Sequence, residues 1–502
     1  MVNQQLLDYI KQQSQQGVNN EQIKQSLLAN GWQNADIEEA FNIMAQAPIQ
    51  PKKRKWKKIV LIIIGVIILL IVSLLLLPRF LNLFAKDIAP INDSDLQLQK
   101  VSVSDKDNAY FDLIKLGNVI DKPEDKSQTI KSQTILDMVA GKTWDNQVAE
   151  EIVSKNSQAF EYFAEAARKP KYQNPESADP ANINPDTGLP STGYWWQMAR
   201  LSAARLSAIR ALYLARQGKD KEALDEALNS VNIGQKIQES QGSLIEYLVA
   251  MAMKAVGLET VQKIIPSSKL TSAELKQYAQ GLDKFYKNEN GLIMVFKGQY
   301  HVYSSGIDLI ASGDKGVLEL LFDEKESRIP EIIKKIIKNS YYFQPNKTKL
   351  LFAEDARAYI KSVNQSCGEI KATEVKSLVP TNPAKLYTEE NLIGKVIYDI
   401  TAVHLTNVIT RKCQEDLLVG ATQAMIAIKA YKNDTSNYPA SLDELAPGYL
   451  SSVPQDPFDE KSLKYSMAKK ILYSVGNDMQ DSGGSVGDDW RQMADPTFVI
   501  NF

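Results

Sequence analysis

Four aspartates near the carboxyl end, Asp478, Asp481, Asp488 and Asp489, fall within twelve residues and alternate with Gly476, Gly483, Gly484 and Gly487. Carboxylates are hard oxygen donors and glycines let a loop turn its own carbonyls inward, a pattern that suits a hard cation taking six to eight oxygens. The plain alternative is a solvated acidic loop. Cys367 and Cys413, the two cysteines of the chain, allow one intramolecular disulfide in an oxidising compartment, and otherwise two unpaired thiols. Catalytic constellations do not assemble. Gly483-Gly484-Ser485-Val486-Gly487 fits a G-x-S-x-G elbow, but no histidine follows it. Asp186-Thr187-Gly188 lies among prolines without flanking apolar strands. The two histidines, His301 and His404, exclude a multi-histidine zinc site and an HExxH helix, and no phosphate-cradling glycine loop with a following lysine is present.

The strongest positioning element is Ile59 to Leu77, IVLIIIGVIILLIVSLLLL, nineteen residues without a charge. At 1.5 Å per residue it rises by roughly 28 Å, close to the ~30 Å hydrocarbon thickness of a bilayer. Lys52, Lys53, Arg54, Lys55, Lys57 and Lys58 precede it, and only Arg79 and Lys86 follow closely. Positive flanks stay cytoplasmic, so residues 1–58 are expected inside and the bulk of the chain outside. Met1 to Ile10 has neither a basic start nor an apolar run, which makes 59–77 an uncleaved signal anchor of a single-pass cell (inner) membrane protein. The 502 residues are 44 % hydrophobic with a net charge of −2, enough for two or three outer cores and too little base for a nucleic-acid partner.

Residues 1–47 carry three short amphipathic patterns: Leu6, Leu7 and Ile10; Ile23, Leu27 and Leu28; Ile37, Ala40, Phe41 and Met44. Asn20 and Asn34 are the expected N-caps of the second and third helices. On Gly17, Gly31-Trp32 and the closing IEEAFNIM, this stretch resembles the ubiquitin-associated (UBA-like) three-helix module, also found at the start of bacterial elongation factor Ts. The resemblance implies a surface for protein segments; the alternative is a small cap whose apolar residues serve only its own core. Residues 48–58 form a basic linker and 78–107 a second linker.

From 108 to 380 helical periodicity dominates, clearest in the three segments between 195 and 265, where the stripe Met198, Leu201, Ala204, Ala208, Leu212 and Ala215 is alanine-rich enough for close helix approach. Five prolines between 169 and 194 make an irregular loop, which ends in Tyr194-Trp195-Trp196, either a stacking platform or core aromatics. A helix is also expected to begin near Pro330. This block resembles a class of uncharacterised bacterial membrane-anchored proteins that join an arginine-studded helical hairpin to a YPASL-type module, a likeness that brings no activity.

After a long helix from about Glu389 to Tyr431, residues 381–502 turn to strands. LKYSM and ILYSV flank a two-lysine turn and predict a hairpin. With NYPASL, VPQDPF and SVGNDMQDSGGSVGDDW in order, the end resembles the globular domain of the major pseudopilins of type II secretion. That resemblance implies calcium in the terminal loop, with the family's paired acidic ligands at Asp488 and Asp489 and with Met479 where the family has glycine. The prepilin cleavage signature is absent, so fibre assembly is not implied.

The expected fold is therefore mainly α: an N-terminal three-helix module, a membrane-anchored helical domain and a small C-terminal α+β pseudopilin-like domain. The expected function is binding or scaffolding at the cell envelope, of unassigned ligand; the alternatives are an extracytoplasmic hydrolase with its site under the proline loop, and a transmembrane sensor. A deep carboxylate-lined cleft beneath that loop would favour the hydrolase, and a filled helical core the binder.

Overall fold

In the computed structural model, residues 3–46, 56–121, 132–175, 194–286, 289–313, 339–363, 365–370, 377–386, 388–401, 406–487 and 489–502 are described. The helix expected at Pro330, most of the proline loop, and His404 lie outside them. The chain divides into two compact units, Met1–Leu77 and Pro78–Phe502.

In the first unit, α1 (Gln4–Gln15), α2 (Asn20–Ala29) and α3 (Asn34–Ala45) close around Leu6, Ile10, Ile23, Leu27, Ile37 and Ala40. The caps sit one residue before the expected ones. Asn19 Oδ1 accepts from the Glu21 N–H at 3.1 Å, and Asn20 is already helical. The third helix starts at Asn34 itself, behind Gln33, which makes no side-chain cap bond. Gly17 and Gly31 end the first two helices at φ +84° and +85°, where a side chain would be strained.

Helix α4 runs 29 residues, Trp56–Phe84. Among the described residues no helix is long and apolar enough to cross a membrane. Within α4 the side chains described without a break are the ten from Leu61 to Leu70, part of the nineteen-residue apolar run, and all ten are exposed.

The second unit begins with α5 (Ala109–Val119), α6 (Ser132–Ala140), α7 (Asn146–Lys155) and α8 (Ser157–Arg168). Three longer helices follow: α9 (Tyr194–Arg216), α10 (Asp220–Gln238) and α11 (Leu244–Ile264). Helices α10 and α11 touch through glycine. A Cβ added to Gly257 would lie 2.7 Å from the Ala227 carbonyl oxygen, and one on Gly234 2.7 Å from that of Ala250. A Ser243–Glu246 capping box starts α11, satisfying two of its first N–H groups. Then come α12 (Ser272–Gly281), α13 (Glu289–Ser312) and α14 (Pro345–Val363). The region expected as one helix from Glu389 contains α15 (Leu392–Thr401) and α16 (Thr406–Thr435), either side of four residues outside the described set.

Helix α16 carries Leu417, Ala421, Ala424, Met425 and Ile428 into a core shared with Leu224 and Leu258 on one side and Phe458, Leu472 and Phe498 on the other. The helical layer and the α+β end therefore bury one continuous interior. The expected hairpin is present as β1 (Lys464–Ser466) and β2 (Ile471–Tyr473). An unexpected β3 (Thr497–Val499) completes an antiparallel sheet of order β1-β2-β3, with Tyr465 opposite Leu472 and Leu472 opposite Phe498.

Candidate functional site

The centre of α11 reads LVAMAMKAVGLE, one lysine in an apolar run. Buried Lys254 needs acceptors for its ammonium, and three meet it: Glu415 Oε1 at 2.6 Å, Gln235 Oε1 at 2.7 Å and Gln238 Oε1 at 3.0 Å. Gln238 Nε2 in turn donates to Glu415 Oε2 at 2.7 Å. Lys254 and Glu415 are 0 % and 3 % exposed at the side chain, so their pairing is shielded from solvent. Burial lowers the lysine pKa, and Glu415 opposes that shift. One residue along α16, Asp416 pairs with Lys412 a turn earlier, again with both residues buried. Buried Tyr247 stands in the field of Glu415 and Asp416; burial drives its phenol pKa well above the usual value. Its hydroxyl has no hydrogen-bond partner among the described residues.

Of these groups, Lys412 and Asp416 line a cavity of about 110 Å³. Four parts of the chain wall it: Tyr286 with Leu292, Val363 with residues 365–370, the first half of α16, and the turn 455–460. Leu292, Val363, Ile370 and Ile409 supply the apolar side. Lys412, Asp416, Asp456, Glu460 and the amides of Gln365 and Gln455 supply the polar side. Cys367 and Cys413 also line it and are joined in a disulfide, Cα to Cα 6.0 Å, which pins the segment after α14 to α16. Asp456 is buried, and its carboxylate accepts from the N–H groups of Phe458 and Val475 and from the Ser474 hydroxyl, at 3.1, 2.9 and 2.8 Å. Burial raises its pKa, and those hydrogen bonds oppose the rise. Glu460, exposed and held at φ +57°, makes no side-chain hydrogen bond or ion pair among the described residues. The Tyr286 hydroxyl donates to the Gln455 carbonyl at 3.1 Å.

The acidic loop is arranged differently from a closed ion cage. Asp478 Oδ1 accepts from the Gln480 N–H and Asp481 Oδ1 from the Gly483 N–H, each at 3.0 Å, so both brace their own turns. Asp489 caps the turn at Trp490–Gln492 and pairs with Arg491. Asp488 lies outside the described residues. Among the described residues no group of three or more histidine, cysteine, aspartate or glutamate side chains is placed to hold a metal ion. A further aspartate that the sequence reading missed lies near the loop. Asp495 is fully buried beneath the loop, where its Oδ2 accepts from the N–H groups of Ser482 and Gly484 at 3.0 and 2.8 Å. Its Oδ1 has no hydrogen-bond partner among the described residues. Met479 adopts φ +60°, the glycine-like conformation, and its sulfur lies where a side chain on Gly368, beside the disulfide, would have to go.

At the described start of the proline loop, Tyr172, Gln173 and Asn174 are buried together with Arg200 and Glu246. Tyr172 OH donates to Glu246 Oε1 at 2.9 Å, and Arg200 reaches the same oxygen at 3.3 Å. The side-chain amide of Gln173 donates to the Gln241 carbonyl at 2.7 Å. His301 falls on α13. Compared with protein families, curated proteins and solved structures, the chain matches none, so the site is read from its own geometry.

Proposed function

We propose that the chain is a single-pass, membrane-anchored binding protein of the cell envelope that holds its ligand in the cavity beside the Cys367–Cys413 disulfide. The observation that carries the reading is that cavity: four separate stretches of sequence, two of them joined by a covalent link, surround a concave pocket whose lining mixes polar and apolar groups, with a few polar groups available to orient a small ligand. At residues 171–174 the one buried carboxylate in contact, Glu246, is engaged by Tyr172 and Arg200, which supports binding over hydrolysis. The anchor rests on the uncharged run 59–77, its six preceding cations and the exposure of Leu61 to Leu70. In this arrangement residues 1–47, a UBA-like module, face the cytoplasm and are open to a protein partner.

The test is a thermal-shift survey of small molecules on the full chain and on an Ile370→Trp variant whose indole fills the pocket. Molecules that stabilise the wild type and not the variant support the reading. Equal shifts in both chains, or none in either, would remove it.

A second reading is calcium in the pseudopilin-like terminal loop, with Asp478, Asp481, Asp488 and Asp489 as its acidic side chains. It is favoured by the unpartnered Oδ1 of Asp495, because a buried carboxylate oxygen without a donor costs about 1–3 kcal/mol.

A further inference from the structure

The wall of the cavity is unevenly charged. Asp416, Asp456 and Glu460 face one lysine, Lys412, so three negative charges and one positive leave a formal −2. The lysine is already matched by Asp416 one helical turn away. Asp456 is held by three donors of its own fold. Glu460 is different: its carboxylate is exposed, projects from a left-handed backbone at the turn 455–460, and has no partner among the described residues. The same lining holds Gln365, Gln455 and Tyr286, whose amide oxygens can accept N–H donors and whose ring can offer an aromatic face to a cation. Leu292, Val363, Ile370 and Ile409 also line the cavity and can cover a short alkyl chain.

Charge decides among ligand classes. An anion would approach a wall that is already negative, in surroundings where burial strengthens the repulsion. A bare metal ion needs several converging oxygens, and among the described residues no metal-holding group forms. The volume, about 110 Å³, is somewhat below the ~150 Å³ of an engineered cavity that accepts one benzene, which suits a group of about five or six heavy atoms.

Resting on the cavity being the ligand site, we propose that its ligand is an organic cation: an ammonium or guanidinium group on a short alkyl chain, with its charge at Glu460 and its carbons against Ile370 and Ile409. The terminal part of a lysine or arginine side chain and a small free amine share that chemistry.

The experiment is isothermal titration of the detergent-solubilised full chain with n-butylammonium, n-butanol and butyrate, and separately with a lysine-containing and a norleucine-containing tripeptide. Saturable binding of n-butylammonium, at least tenfold tighter than n-butanol, with no binding of butyrate, is expected. Glu460→Gln should weaken it about tenfold, the order of a charge-assisted hydrogen bond, and Glu460→Lys should abolish it. Glu460 is exposed, and an unchanged melting temperature in Glu460→Gln verifies the fold. Binding of the lysine tripeptide but not the norleucine one identifies a peptide as the source of the cation; binding of n-butylammonium alone identifies a free amine. Equal binding of n-butanol, or full affinity in Glu460→Gln, would overturn the cation class while leaving the cavity as a site. No binding of any probe would overturn the proposal, and an empty thermal-shift survey would then remove the cavity reading as well.

Discussion

Removing either member of the Lys254–Glu415 pair should be among the most damaging single changes in the chain. Lys254→Met keeps the methylene stem that packs against Gly234 but leaves the Glu415 carboxylate with the Gln238 amide, and with no cation, in an interior where the pair is 0 % and 3 % exposed. Glu415→Leu leaves the ammonium with two amide oxygens, at 2.7 and 3.0 Å. Breaking a buried pair from one side costs about 3–5 kcal/mol. Replacing both partners by apolar side chains removes both charges and leaves only Gln235 and Gln238 underused, a loss of about 1–3 kcal/mol. The assay is urea unfolding of the four chains of a double-mutant cycle followed by far-UV circular dichroism. The double variant should be less destabilised than either single variant, giving a coupling energy of several kcal/mol. Additive losses, or single losses below about 1 kcal/mol, would refute the reasoning.

Other outcomes follow from the same geometry. Converting Cys367 and Cys413 together to serine opens a link across 46 residues of sequence; the chain-entropy model puts the loss at about 4 kcal/mol, read as a lower urea midpoint that reductant no longer affects. Lys236 donates to the Ala166 and Ala167 carbonyls at the end of α8, and burial, with Lys284 nearby, lowers its pKa from 10.5 to about 8. Between those values the unfolded chain binds the extra proton, so stability relative to Lys236→Met should rise from pH 8 to pH 10, as measured by unfolding at each pH. Calcium should raise the melting temperature of the full chain over that in chelator, and Asp488→Ala with Asp489→Ala should abolish the rise; no shift at millimolar calcium would leave the loop a purely structural element.

Local pattern and long-range pairing differed in how far they could be read. The three N-terminal helices follow from Leu6, Ile10, Ile23, Leu27 and Ile37, since 3.6-residue spacing names the buried face directly. The hairpin 464–473 follows from alternation, and the disulfide needs no choice when a chain has two cysteines. Caps slipped by one residue because Asn19 and Asn20 are chemically equivalent, and only the backbone shows which is still extended. The cavity was hidden for a deeper reason: its walls come from Tyr286 with Leu292, from Val363 with 365–370, from α16 and from 455–460, and periodicity tells which face of a helix is buried without telling what it meets. A signal for the buried ion pair was nonetheless present. Lys254 interrupts an apolar run, and KCQED on α16 sets Lys412, Glu415 and Asp416 just before the apolar stripe beginning at Leu417, so buried charges on two helices required partners. Asp495 gave no comparable sign, since an aspartate before a proline ordinarily reads as a turn.

The account depends most on the cavity and its disulfide lying across a membrane from residues 1–47. Protease added to sealed, right-side-out membrane vesicles containing the full chain tests this directly. Digestion of residues 78–502, with an amino-terminal fragment carrying residues 1–77 protected until detergent is added, is the predicted result. A chain that is wholly protected, or that is found outside the membrane fraction altogether, would contradict it.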